Sequence, residues 1–320
     1  MAVAVLRSSD GRLRAGWRFL LAIILFIASQ TVVSLLFRPA ELISARAAMA
    51  FAVILSINIG IFAVLSRTLD RATKPLAYIG FSRDVPVLRL IAVGFVFGAA
   101  LVSLAVFFIA VGGSTAFRWR MNGMMLQAAA VQLALFPIAA LHEEVAFRGY
   151  PFQRLVESIG AWWAIALLSA LFALLHLGNP NATIFGAFNT AAIGALLAVA
   201  YVFTRSMWLV WGIHWGWNLV LAVAYGLVVS GFETDGPVDG SVAGPEWLTG
   251  GAYGIEGGAS GSIAIVIGFG ILLWLIRQPS LVGRPAPPPL SYIAARVSPI
   301  SGESGSSSSP SSSASSSSPG

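Results

Sequence analysis

Residues 88–111 read LRLIAVGFVFGAALVSLAVFFIAV, and this run decides the fold class. Beyond Arg89 it contains no charged residue. A helix of about 20 apolar residues, rising about 1.5 Å per residue, crosses the ~30 Å of hydrocarbon in a bilayer. Runs of the same character lie on both sides: Trp17–Phe37, Ala45–Ser66, Met124–Phe152, Ala161–Leu177, Ala182–Phe203, Met207–Ser230 and Ala259–Ile276. Together they predict an all-α, polytopic membrane helix bundle of about eight transmembrane helices. The last run is the shortest and carries glycines. The first follows Arg7, Arg12, Arg14 and Arg18, as the core of a signal peptide would, but it is long for one and lacks a small-x-small cleavage site. It is read as a retained helix.

Composition agrees. Hydrophobic residues make up 57% of the 320 and charged residues only 10%, against about a quarter charged in a soluble domain. So little charge cannot cover a water-soluble surface, and the bilayer is the natural solvent. The net charge of +6 comes from basic residues at the ends of apolar runs, not from a continuous basic face. That pattern speaks against nucleic acid as a partner and for membrane orientation. With no cysteine, disulfides, thiolate nucleophiles and cysteine metal sites are excluded.

Eight alternating helices with the N-terminus in the cytoplasm put fifteen basic residues on the cytoplasmic side: Arg7, Arg12, Arg14, Arg18, Arg67, Arg71, Lys74, Arg83, Arg89, Arg148, Arg154, Arg205, Arg277, Arg284 and Arg296. Four remain outside: Arg38, Arg46, Arg118 and Arg120. This asymmetry predicts cytoplasmic N- and C-termini. The segment Phe232–Ser260, outer in this scheme, is rich in glycine, carries Glu233, Asp235, Asp239, Glu246 and Glu256, and has no Lys or Arg. The chain thus divides into a transmembrane domain, residues 1–280, and a Pro- and Ser-rich tail, residues 281–320. Such a tail cannot bury enough apolar surface to offset its ordering entropy, so it is expected to be a disordered cytoplasmic segment.

Ionisable residues within membrane helices are costly, and each needs a reason. Three runs contain them: His142-Glu143-Glu144-Val145-Ala146-Phe147-Arg148, then Phe172-Ala173-Leu174-Leu175-His176, then His214-Trp215-Gly216-Trp217-Asn218. Glu144 and Arg148 lie four apart on one helix face and can pair, which leaves Glu143 free to face a cavity. A desolvated carboxylate beside another carboxylate is suited to general-base work. The same residues also suit an ion pair bracing a helix near the interface. Ala146 stands where a zinc-protease H-E-x-x-H helix needs its second histidine, which excludes that class. His214 and Asn218 share a face and can direct two donors at one point; a polar clamp between helices is their bland role, and helix packing is that of His176.

Depth links the three runs. Measured from Arg154 and Glu157, Glu143 lies about 16 Å inside; from Trp162 and Trp163, His176 lies about 20 Å inside; from Arg205, His214 and Asn218 lie about 14–20 Å inside. All three fall in one slab near mid-bilayer, biased toward the cytoplasmic side. Separate packing roles do not predict that agreement.

The order E-E-x-x-x-R, F-x-x-x-H, H-x-x-x-N on successive helices resembles the family of CAAX prenyl proteases and bacteriocin-processing enzymes, the CPBP or Abi family, over about residues 124–227. The resemblance implies an intramembrane endopeptidase in a bacterial-type plasma membrane, acting on a membrane-embedded or lipidated peptide or protein. In it Glu143 and His176 activate water, His214 and Asn218 stabilise the oxyanion, and Glu144 and Arg148 support them. The family is also described as metalloproteases, and Glu143, Glu144, His176 and His214 are the residues that would hold zinc; a metal-free glutamate and histidine mechanism uses the same groups. A cavity open to the cytoplasm is expected to supply the water. A proton-coupled transporter and a non-catalytic scaffold or immunity protein are the competing functions, and no internal repeat favours the former.

Overall fold

The computed structural model describes residues 6–8, 11–37 and 43–282. The tail predicted to be disordered lies outside them except for Leu281 and Val282, which are helical. Because lipid offers no partner for backbone N–H and C=O groups, the apolar runs satisfy them internally as helices. These are α1 (Ala15–Phe37), α2 (Ala45–Thr68), the short α3 (Pro75–Tyr78), α4 (Val87–Gly112), α5 (Gly123–Arg148), α6 (Tyr150–Ile159), α7 (Ala161–His176), α8 (Ile184–Thr204) and α9 (Met207–Leu219). The short α10 (Glu246–Thr249), α11 (Ala259–Leu275) and α12 (Pro279–Val282) complete the set. By length and composition α1, α2, α4, α5 with α6, α8, and α9 with its continuation are candidate membrane spans, and α7 and α11 are shorter apolar helices. The fold is an all-α membrane bundle. Ser44, Asn122, Thr183 and Ser206 start α2, α5, α8 and α9, each accepting a first-turn N–H on its side chain.

Two expected helices differ in extent. The run Met124–Phe152 breaks at Gly149, where ψ is −140° and the N–H still caps α5 by donating to Val145. The chain restarts as α6 with Pro151 in its first turn, where a missing N–H costs nothing. The run Met207–Ser230 ends much earlier: α9 stops at Leu219 and passes through one π-helical turn, Val220–Ala224. Gly226 then takes φ 59° with its α-carbon against the Val238 carbonyl, a position only glycine fills without strain. Also unexpected is a two-stranded antiparallel ribbon, β1 (Ser114–Trp119) with β2 (Val238–Ala243), registering Ser114 on Ala243 and Trp119 on Val238.

The two ends of the bundle are held differently. At one end Arg18 of α1 bonds Asp70 and Glu157, Arg154 of α6 bonds the same two acids, and Arg154 Nη2 donates to the Tyr78 hydroxyl at 2.6 Å. Residues expected on one side of the membrane therefore meet. The ribbon closes the other end, anchored by Gln132 of α5, whose amide donates to the Asp235 carbonyl.

The site depends on the packing of α4 against α9. Gly94 and Gly98 of α4 face Gly212 and Gly216 of α9, and a Cβ on any of them would run into the backbone of the opposite helix. Two reciprocal G-x-x-x-G pairs thus bring the helices together backbone to backbone, the packing small residues allow in membranes. Gly98→Val is expected to lower the unfolding midpoint of the detergent-solubilised protein well below that of Gly270→Val, because nothing stands within 4 Å of a Cβ added at Gly270. Equal midpoints would contradict this packing.

Candidate active site

Helices α5, α7, α8 and α9 converge on two buried charges. Arg148, 2% exposed, donates from Nη1 to Glu144 Oε1 at 3.0 Å and from Nη2 to the Gly194 carbonyl at 2.7 Å. Its guanidinium also lies 5.3 Å from the centre of the Phe172 ring. A planar fork is needed to serve two acceptors and a ring at once. Gly194 leaves room for this: a Cβ there would press on Phe172 and Ser169.

The Glu144 oxygen accepts a second bond, from His214 Nδ1 at 2.8 Å. Since a carboxylate oxygen only accepts, the proton of this ring sits on Nδ1. The bond aims Nε2 at Glu143, whose Oε2 lies 3.7 Å away. That gap exceeds a direct N–H···O bond. Glu143 Oε2 is buried and, among the described residues, accepts no hydrogen bond. Trp211 Nε1, one turn before His214, donates to the Pro137 carbonyl at 2.7 Å and fixes α9 on α5 a second time.

Helix α7 ends on His176. Its Nδ1 donates to the Phe172 carbonyl at 2.8 Å, and its ring packs 4.3 Å from that of Phe172. A carbonyl partner again fixes the proton on Nδ1, leaving Nε2 as an acceptor. His176, His214 and Asn218 line one cavity of about 40 Å³, room for a few water molecules. Glu143 is not among its lining residues and borders it through His214. His142, next to the two glutamates in sequence, points elsewhere: its Nε2 meets the Gln30 amide at 3.0 Å and its ring stacks on Phe26.

The rest of the cavity wall was not anticipated. Asn189 and Thr190 line it from α8, and Ser230 and Glu256 line it from the segment between α9 and α11. These belong to the end of the bundle that carries the ribbon, which is the outer side in the charge-based orientation. Glu256 sits in a 3₁₀ turn, Ile255–Gly257. Its carboxylate accepts from Trp217 Nε1 at 3.0 Å, from Ser230 Oγ at 3.0 Å and from the Ser230 N–H. Burial pushes its carboxyl above the usual carboxylate range, against the opposing pull of Ser230, Trp217 and His176. Nothing in the sequence around Glu256 distinguishes it from Glu233 or Glu246 nearby.

Of the four residues considered for zinc, Glu143, Glu144 and His214 come together, but Glu144 Oε1 and His214 Nδ1 are committed to each other and to Arg148. Among the described residues no three His, Cys, Asp or Glu side chains are placed to hold a metal ion. The donor set does not fit a zinc site.

Residues 125–220 match the family described as Type II CAAX prenyl endopeptidase Rce1-like. The matched stretch contains Glu143, Glu144, Arg148, His176, His214 and Asn218 and stops short of Glu256. It agrees with the resemblance read from the three motifs. No curated protein and no solved structure matches the chain.

Proposed function

We propose, from an Rce1-like stretch whose His176, His214 and Asn218 line one cavity and whose Glu143 stands beside His214, that the protein is an intramembrane endopeptidase of the CAAX protease type. It hydrolyses a peptide bond in a membrane-embedded or lipidated substrate. The observation that carries this reading is the arrangement at His214: Glu144 holds Nδ1 at 2.8 Å, and Nε2 faces the unbonded Oε2 of Glu143 at 3.7 Å. A water can sit beside this gap, within reach of both a carboxylate that can accept a proton and a ring that can donate one.

In this mechanism Glu143, with His176 Nε2, takes the proton of the attacking water, and the oxygen adds to the scissile carbonyl. The carbonyl oxygen becomes an oxyanion that accepts from His214 Nε2–H and the Asn218 amide. For that bond His214 carries protons on both nitrogens, and the Glu144 carboxylate at Nδ1 is the countercharge an imidazolium needs. Such prearranged donors contribute several kcal/mol, about 3 for a single donor, in a site that excludes water. Collapse of the intermediate returns the proton to the leaving amine. Arg148 keeps Glu144 aimed at His214. The basic residues clustered at one end support cytoplasmic termini, with the transmembrane domain ending near residue 280.

The test is cleavage of a peptide library by the purified protein in detergent. The wild type is expected to cut with or without a chelator, and His176→Ala to lose about 10²-fold or more of the activity. Cleavage unaffected by His176→Ala would reject these roles, and loss on chelation would reject the metal-free route. Uptake into vesicles without any cleavage would favour the transporter.

A further inference from the structure

Glu256 raises a question that the peptidase reading does not answer. An acid in contact with a membrane-embedded cavity is costly unless something compensates it. Among the described residues no Lys or Arg lies within salt-bridge distance of Glu256, whereas the buried acids Asp70 and Glu144 each have an arginine. The compensation is three neutral hydrogen bonds, from Trp217 and Ser230. A carboxylate has about four acceptor positions. One therefore stays open, on a residue that lines the cavity with His176, His214 and Asn218.

The position is also rigidly held. The Glu256 main-chain carbonyl accepts from Asn189 Nδ2 at 2.9 Å, and the same nitrogen donates to Gly258 at 2.9 Å. Asn189 Oδ1 in turn accepts from Ser262 Oγ at 2.7 Å. Ser230, the other donor to Glu256, is tied through its carbonyl to Asn179 Nδ2 at 3.0 Å. Such a cradle fixes the carboxyl group where a substrate would approach the two histidines. Nearby, Thr190 Oγ1 spends its proton on the Gly186 carbonyl at 2.9 Å, takes the Tyr253 hydroxyl on one lone pair and keeps the other for a donor. An anionic acceptor beside a neutral one, in a space the size of a few waters, matches an ammonium group.

We propose that Glu256 forms a specificity subsite for a lysine side chain of the substrate, next to the bond being cut. This rests on the peptidase reading and adds the substrate class. The ammonium would donate to Glu256 and Thr190, supplying the cationic partner that no Lys or Arg among the described residues supplies.

Binding tests it without requiring turnover. Full-length protein carrying Glu143→Gln, in detergent, is titrated with short, apolar, N-acetylated fluorescent peptides that differ only by lysine or norleucine at one scanned position. At one position the lysine peptide is expected to bind about tenfold tighter. Adding Glu256→Gln should bring that ratio close to one, while Glu256→Asp, which keeps the charge, should retain part of it. A norleucine peptide with a free N-terminus separates a lysine side chain from a chain terminus: tight binding of that peptide instead would overturn the lysine assignment. Equal affinities, no binding of either peptide, or a preference that survives Glu256→Gln would overturn the proposal. Wild-type cleavage without charge preference would leave the peptidase standing and remove the subsite. Lysine preference without cleavage would do the reverse.

Discussion

Glu143→Gln is expected to lower the cleavage rate by about 10³-fold, within the range a general base contributes. Glutamine keeps the shape and cannot take the proton. The loss should fall on kcat with little change in KM, since the interaction matters only as water is activated. Folding should be nearly unaffected, because the Glu143 side chain is 31% exposed and its Oε2 makes no hydrogen bond among the described residues. An unchanged unfolding midpoint beside lost activity would separate this residue from its neighbour. Activity within about threefold of the wild type would show that Glu143 is not the base.

Glu144 and Arg148 should behave in the opposite way. Arg148→Ala leaves Glu144 buried with no arginine and removes the bond from α5 to the Gly194 carbonyl, and is expected to cost about 3–5 kcal/mol of stability. A lowered unfolding midpoint in detergent measures it. Arg148→Lys should recover only part, since an ammonium cannot reproduce two divergent bonds and the contact with the Phe172 ring. A stable, active Arg148→Ala protein would remove the supporting role given to this pair.

Helix placement was legible because apolar length alone sets it, and so was the Glu144–Arg148 pair, because spacing of four on a helix leaves little choice. What escaped the sequence reading was set by glycine and by distance along the chain. Gly149 followed by Pro151 is a break-and-restart signal hidden inside an apolar run. The pairs Gly94/Gly98 and Gly212/Gly216 stand in the sequence as G-x-x-x-G, but which helix faces which is decided only by assembly. Apolar patterning carried Met207–Ser230 as one helix, whereas the chain leaves the helix near Leu219 and brings Ser230 and Glu256 to the cavity. Glu256 reaches the cavity only through that fold. It lies 38 positions beyond Asn218, and no local pattern could join the two.

The most direct measurement of the account is hydrolysis in ¹⁸O-labelled water with purified protein reconstituted in vesicles, read by mass spectrometry of the peptide fragments. Water-activated cleavage predicts two fragments from the wild type, with solvent ¹⁸O in the new C-terminal carboxylate, and neither fragment from Glu143→Gln. Intact substrate carried across the vesicle membrane, or fragments without solvent oxygen, would contradict it.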